Sequence, residues 1–263
     1  MRYWNRNLIS ATQREPSIGN TSGIYDLTSQ LVFKKAVKWT SQIVTTDLTL
    51  NLNASDANSY PGSGTAWSDL TTNNLDFTLI NGPTYDSSFG GYITFDGTND
   101  HATLSSGWTG FGADPFTIEF WGRGHSSAVD ESVVSTQGGG NGTFQFAFGN
   151  NSRLRMVAQD ASGPQVLRDS TIALSGNTWK HVVAVREGTA ANQFKFYENG
   201  SLDSTHTLSE NLNSTYQLQI GRNRGATAYL DGDLSVLRIY KNKGLTALEV
   251  QQHFQSERGR FNI

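Results

Sequence analysis

Between Leu48 and Tyr240 the chain is built from short runs in which apolar and polar residues alternate one by one, and glycine, asparagine, aspartate or serine recur between them. Leu48-Thr49-Leu50-Asn51-Leu52, Phe116-Thr117-Ile118-Glu119-Phe120, Phe144-Gln145-Phe146-Ala147-Phe148 and Gln217-Leu218-Gln219-Ile220 all show this period of two. That period sends alternate side chains to opposite faces of an extended backbone, so each run reads as a half-buried strand. Leu154 to Ala158, His181 to Arg186, Phe194 to Tyr197 and Leu234 to Tyr240 extend the set. Asn199-Gly200, just after Phe194-Lys195-Phe196-Tyr197, predicts a two-residue type I′ hairpin, because that turn needs positive φ at both central positions. Roughly ten or more short strands with no helices between them predict an all-β fold, a two-sheet antiparallel jelly-roll sandwich.

Composition agrees. Charged residues make up 16% of the 263 positions, and there are 27 Gly, 14 Phe, 9 Tyr and 6 Trp. Such a mixture favours strands and turns and excludes an all-α protein. The net charge of −3 leaves no broad basic field for phosphates or anionic lipid, so neither nucleic acid nor a membrane is an expected partner. The absence of cysteine removes disulfides, thiolate metal sites and thiol nucleophiles together. Neither the basic start MRYWNRNLISATQREPS nor any later stretch has the apolar run of a signal or spanning segment, so a soluble chain is expected.

Three segments are distinguished. Residues 1–45 read as an extended arm, polar from Met1 to Gly23, with Thr28 placed to cap a short helix toward Lys38. The arm carries Trp4, Tyr25, Phe33 and Trp39, more aromatic surface than a solvated tail needs, and reads as a docking device. Residues 46–245 hold the strands. Residues 246–263 predict a helix and tail: Thr246 and Glu249 form a capping box, Leu245 and Val250 a hydrophobic staple, Ala247, Val250 and Phe254 one apolar face, and Gly259 a stop. The helix is expected on the rim of the sandwich.

Within this frame, Tyr60-Pro61-Gly62-Ser63-Gly64-Thr65-Ala66-Trp67-Ser68-Asp69-Leu70 followed by Phe95-Asp96-Gly97-Thr98-Asn99-Asp100 resembles the opening of laminin-G-like jelly rolls of the concanavalin A-like lectin/glucanase superfamily. Phe116 to Trp121, Trp179 to Val185, Phe196 to Gly200, Ile220-Gly221-Arg222 and Leu230 to Tyr240 resemble later strands of the family in the same order. The flanks resemble something narrower. Arg6 to Thr12, Gly23 to Leu27 and Trp39, with the ending Glu249 to Phe254 and Gly259-Arg260-Phe261, are similar to tailed-bacteriophage virion structural proteins. The resemblance implies a non-enzymatic protein of the virion surface, a capsid decoration or tail or neck appendage, docked on other structural proteins by its arm. It also implies homo-oligomers, trimers among them, and adhesion to host glycans. A carbohydrate-binding module or surface adhesin, with glycan binding as its primary role, is the alternative.

Catalytic patterns are missing. The Glu-x-Asp-x-Glu strand used by glucanases of the superfamily does not occur, and Glu119, the carboxylate of its strand, reads as a solvent-side residue. The five histidines lack metal-ligand spacing, and His181 reads as a residue near the core. The run Gly138-Gly139-Gly140-Asn141-Gly142 reads as a hairpin loop. The resemblance assigns Trp67, Trp121 and Trp179 to the core. Trp108, with Thr109 and Phe111 in a glycine-bounded loop, is the candidate stacking platform for a sugar face, against the commoner reading of a loop tryptophan as cover for the sandwich edge or a contact with a neighbouring subunit. Asp96 and Asp100, and Asp231 and Asp233, are oxygen-rich pairs of the kind that hold calcium, the one cofactor considered, although Asp-Gly pairs are also ordinary turn chemistry.

Overall fold

The computed structural model describes residues 42–125, 131–138, 140–148, 153–160 and 163–263. The aromatic arm residues Trp4, Tyr25, Phe33 and Trp39 lie outside them.

In chain order the strands are β1 (Leu48–Asn53), β2 (Ala66–Trp67), β3 (Phe77–Ile80), β4 (Thr84–Asp86), β5 (Tyr92–Asp96), β6 (His101–Leu104), β7 (Phe116–Gly124) and β8 (Ser132–Thr136). They continue with β9 (Thr143–Phe148), β10 (Arg153–Gln159), β11 (Gln165–Ala173), β12 (Lys180–Arg186), β13 (Phe194–Glu198), β14 (Ser201–His206), β15 (Leu218–Ile220) and β16 (Asp231–Lys241). One sheet runs β14-β13-β12-β7-β16-β5-β4, and the long β16 also pairs with β1. The other runs β11-β10-β9-β8-β15-β6-β3-β2. Every pairing is antiparallel, as the alternating runs predict.

The core lies between the sheets and takes one face of each strand. Ile118 and Phe120 from β7, Val182 and Ala184 from β12, and Leu237 and Ile239 from β16 meet Phe144, Phe146 and Phe148 from β9 and Leu154, Met156 and Ala158 from β10. A bulge between Leu234 and Val236 resets the alternation of β16. Both Leu234 and Leu237 therefore point inward although they are three residues apart. The predicted hairpin turn joins β13 to β14, with Asn199 at φ 49° and Gly200 at φ 79°. A side chain on Gly200 would also collide with Phe254, its Cβ lying 3.0 Å from Cδ1 of that ring. The Gly138–Gly142 run joins the paired strands β8 and β9, as a hairpin loop should.

Helix α1 spans Ala247–Glu257 and has the predicted capping box: Thr246 Oγ1 accepts the Glu249 N–H while the Glu249 carboxylate accepts the Thr246 N–H at 2.8 Å. Three details differ from expectation. Its buried stripe is Val250, His253 and Phe254, with Ala247 exposed. Gly259 does not stop it, since the chain continues as a 3-10 turn, Arg258–Phe261, and ends on the left-handed Asn262. The helix also lies against the outer face of the β7–β12–β16 sheet and not on the rim. The second face of those strands carries Trp121, Val183, Val185, Val236 and Tyr240, which are all buried, so a one-sided covering was required. Trp121 stacks on Phe254 and on Phe261 at centroid distances of 5.9 and 4.2 Å.

Candidate functional site

The two outer faces of the sandwich have opposite fates. Under α1 the first face buries a charged cluster centred on Glu119, which is fully buried and not on the solvent side where alternation alone put it. His181 Nε2 lies 2.8 Å and Arg238 Nη1 3.1 Å from Glu119 Oε1, and His253 Nδ1 lies 2.9 Å from Oε2. Arg238 also meets Glu257 at 3.0 Å, and Trp121 Nε1 donates to Glu257 at 2.8 Å. His253 Nε2 accepts the Val44 N–H at 2.9 Å, which places the imidazole proton on Nδ1, where it is donated to Glu119. Burial alone would raise the Glu119 pKa. The His253 ring, the Arg238 guanidinium and the hydrogen bonds of both imidazoles outweigh it and hold the carboxyl well below the usual range. Conversely Glu257 and Glu119 overcome burial and raise the Arg238 pKa. No substrate reaches these groups, because the side chains of Glu119, His181 and His253 have no exposure. The cluster is a clamp between helix and sheet. The signal for it in the sequence was a lone glutamate among aromatics and a histidine on the apolar stripe of a helix.

The outer face of the second sheet carries an open cleft of about 320 Å³, lined by Gln145, Arg155, Val157, Gln165, Leu167 and Asn223. Alternation explains the selection. Gln145 faces Val157 across β9 and β10, and Val157 faces Leu167 across β10 and β11, so the three share one face in register. Gln145 and Val157 are buried and make the floor, while Leu167 stands 46% exposed as a wall. Arg155 forms a two-point ion pair with its cross-strand partner Asp169, Nη2 to Oδ2 being 2.8 Å.

Asn223 belongs to the loop after β15, and the sheet holds that loop firmly. The buried Gln219 donates to Asn223 O at 2.8 Å and to Ser135 Oγ at 3.1 Å, and accepts from Arg222 Nε at 2.9 Å. Asn223 Oδ1 in turn accepts the Thr227 N–H at 2.9 Å. The result is a preformed polar cleft with planar amide and guanidinium groups beside two aliphatic side chains, suited to a ligand that has paired hydroxyls and C–H faces. None of its lining residues was singled out by sequence pattern, because amides on a strand look like any solvated face.

The residues that were singled out lie elsewhere. Trp108 and Phe111 are each only 3% exposed, packed edge to face at 5.0 Å, and belong to the core together with Phe144. Buried to that extent, they present no stacking platform on the surface. Thr109 is exposed beside them and takes a hydrogen bond from Lys241. The four aspartates converge more than their spacing suggests, for Asp96 and Asp231 are register partners on β5 and β16. Their oxygens are nevertheless engaged. Asp96 Oδ1 accepts the N–H groups of Thr98 at 2.8 Å and Asn99 at 3.2 Å, which lower its pKa. Asp233 is held by Arg123, by His125 at 3.0 Å and by the Thr94 hydroxyl at 2.7 Å. Asp100 is buried, and that burial, with Asp96 nearby, raises its pKa. Among the described residues no three acidic, histidine or cysteine side chains are grouped as a metal site would need.

The sequence profile of a laminin G-type family, described as Concanavalin A-like lectin/glucanases superfamily, matches residues 96–251. That is more than half of the 263 residues. The chain belongs to the concanavalin A-like lectin/glucanase superfamily. Comparison with curated protein sequences gives no match. Among solved structures, this superfamily member resembles domain 4 of AbnA, a GH43 extracellular arabinanase from Geobacillus stearothermophilus, solved with arabinotriose. The TM-score is 0.62 at 16% identity, covering 80% of this chain and 98% of that one. It also resembles the ligand binding domain of botulinum neurotoxin serotype D, solved with N-acetylneuraminic acid, with TM-score 0.60, 13% identity, and coverage of 80% and 50%. The binding domain of Paraclostridial Mosquitocidal Protein 1 gives 0.60, 16%, 80% and 52%. The chain thus spans about half the length of the toxin binding domains, and these likenesses establish its fold.

Proposed function

We propose that this chain is a saccharide-binding module without catalytic activity, and that the ligand sits in the cleft over β9, β10 and β11. The observation that carries this reading is the asymmetry of the faces: one is sealed by α1, the other offers a preformed cleft of amides, a guanidinium and an exposed leucine. Similar folds solved with arabinotriose and N-acetylneuraminic acid support it. A hydrolase would need two accessible carboxylates, and of the clustered pair Glu119 is fully buried beneath the helix while Glu257 is paired with Arg238. An oligosaccharide array followed by calorimetry tests the reading. Leu167→Ala and Gln165→Ala, both at exposed positions, should weaken binding at least several-fold and leave the melting temperature within about a degree. Binding that is unaffected by either substitution, or turnover of a bound glycan, would refute it.

The wider setting we propose is the surface of a virion, where the module would serve adhesion. Support comes from the flanking runs Arg6 to Thr12, Gly23 to Leu27 and Gly259-Arg260-Phe261. Mass spectrometry of purified particles tests this, and finding the chain only in host cell fractions would count against it.

A further inference from the structure

The loop that closes the cleft carries a charge imbalance. Asn223, a lining residue, stands between Arg222 and Arg224. Arg222 donates to Gln219 Oε1 at 2.9 Å and lies 3.3 Å from His101 Nε2. His101 Nδ1 sits 2.8 Å from the Asn99 carbonyl and donates its proton there, so Nε2 is the neutral acceptor. Arg224 donates to the Thr143 hydroxyl at 2.6 Å, and its Nε is buried without a partner. Thr143 and Gln145 are two apart on β9 and share a face, so the Arg224 guanidinium is bonded two residues along the strand from the Gln145 floor of the cleft, and Arg224 directly follows the lining residue Asn223. Neither arginine has a carboxylate partner among the described residues, whereas Arg155, across the same cleft, is neutralised by Asp169.

An arginine that is partly buried with no countercharge is costly to keep, because desolvation is not repaid by an ion pair. Burial indeed pushes the Arg224 pKa down. In a chain of net charge −3 with 23 acidic residues, an available carboxylate would be easy to supply. Among the described residues no carboxylate neutralises this loop, so an anionic ligand could do so, and the cleft beside it sets what that anion is attached to.

We infer that the cleft selects acidic saccharides, with a carboxylate or sulfate substituent meeting Arg224 while neutral hydroxyls meet the amides of the floor and wall. This deepens the saccharide-binding reading and rests on it. A charged hydrogen bond exceeds a neutral one by enough to give a preference of about tenfold.

The test uses the full chain and oligosaccharides in pairs: sialyllactose with lactose, oligogalacturonate with its methyl ester, and a sulfated chondroitin disaccharide with its unsulfated parent. At least one acidic member should bind about tenfold more tightly than its neutral parent, the carboxylate and sulfate arms showing which anion is preferred. Arg224→Gln should abolish that preference, and Arg224→Lys should retain part of it. Because Arg224 meets no carboxylate among the described residues, Arg224→Gln should melt no lower than the wild type. Binding of neutral members as tight as that of their acidic partners overturns the charge inference and leaves the cleft reading intact. An acid preference that survives in Arg224→Gln, or a Gln variant that melts lower with binding unchanged, also overturns it. Binding of no member at all removes the saccharide reading and this inference together.

Discussion

Glu119 shows how a single residue reverses its meaning with context. On an isolated strand it belongs to the wet face, and beneath α1 it is the acceptor for two imidazoles and a guanidinium. Breaking such a cluster leaves Arg238 buried with half its partners, and loss of one member of a buried ion pair typically costs about 3–5 kcal/mol. Glu119→Ala should therefore lower stability by about 3 kcal/mol or more in urea unfolding, and Glu119→Gln by less. The pH dependence has a definite sign. The folded carboxyl has a depressed pKa. Its contribution is fully present above the unfolded value of about 4.3 and is lost as pH falls through the folded pKa. The stability gap between wild type and Glu119→Gln should be constant near neutrality and narrow on acidification below about pH 4. A gap that widens in acid would show that Glu119 is protonated in the fold.

At the scale of elements, the features legible beforehand were the ones set by local chemistry. Asn199-Gly200 dictates its turn through φ alone, the capping box of Thr246 and Glu249 is a two-residue contract, and alternation assigns each strand two faces. Alternation cannot say whether the second face is wet. That depends on what packs there, and α1 was legible as a helix but not as a lid. For the same reason the aromatic loop of Trp108 and Phe111 left both a platform and an edge cover open, of which burial favours the second, and the cleft of Gln145, Gln165 and Asn223 had no signature. The covering role has a test. A chain ending at Gly244 would expose Trp121, Trp179, Val183, Val185 and Tyr240 to water. It should be aggregation-prone and should show red-shifted tryptophan emission. Thr246→Ala, which removes only the cap, should cost about 1 kcal/mol.

At the scale of the whole molecule, the sealed face also decides where the independent folding unit starts. The strands begin at Leu48, and the resemblance to laminin-G-like domains begins near Thr46, yet the unit extends further back. The Tyr240 hydroxyl donates to Val44 O at 2.9 Å, and the Val44 N–H supplies the donor to His253 Nε2 at 2.9 Å. Val44 also packs with Leu48 against Val183, Val185, Tyr197 and Val250. One residue thus fixes the tautomer of His253, and through it the clamp on Glu119. The compact unit accordingly begins at Ser41. A chain starting at Ser41 keeps every described residue of the clamp and the cleft, and should melt cooperatively and bind saccharide as the full chain does. A chain starting at Asp47 loses the Val44 contacts, and with them a buried hydrogen bond and a share of apolar burial worth about 1–3 kcal/mol together. Its melting temperature should fall while saccharide affinity holds, because the cleft lies on the opposite sheet. Equal melting of the two shortened chains would mean that Val44 contributes nothing to the clamp, and a molten Ser41 chain would mean that residues 1–40 belong to the folded core.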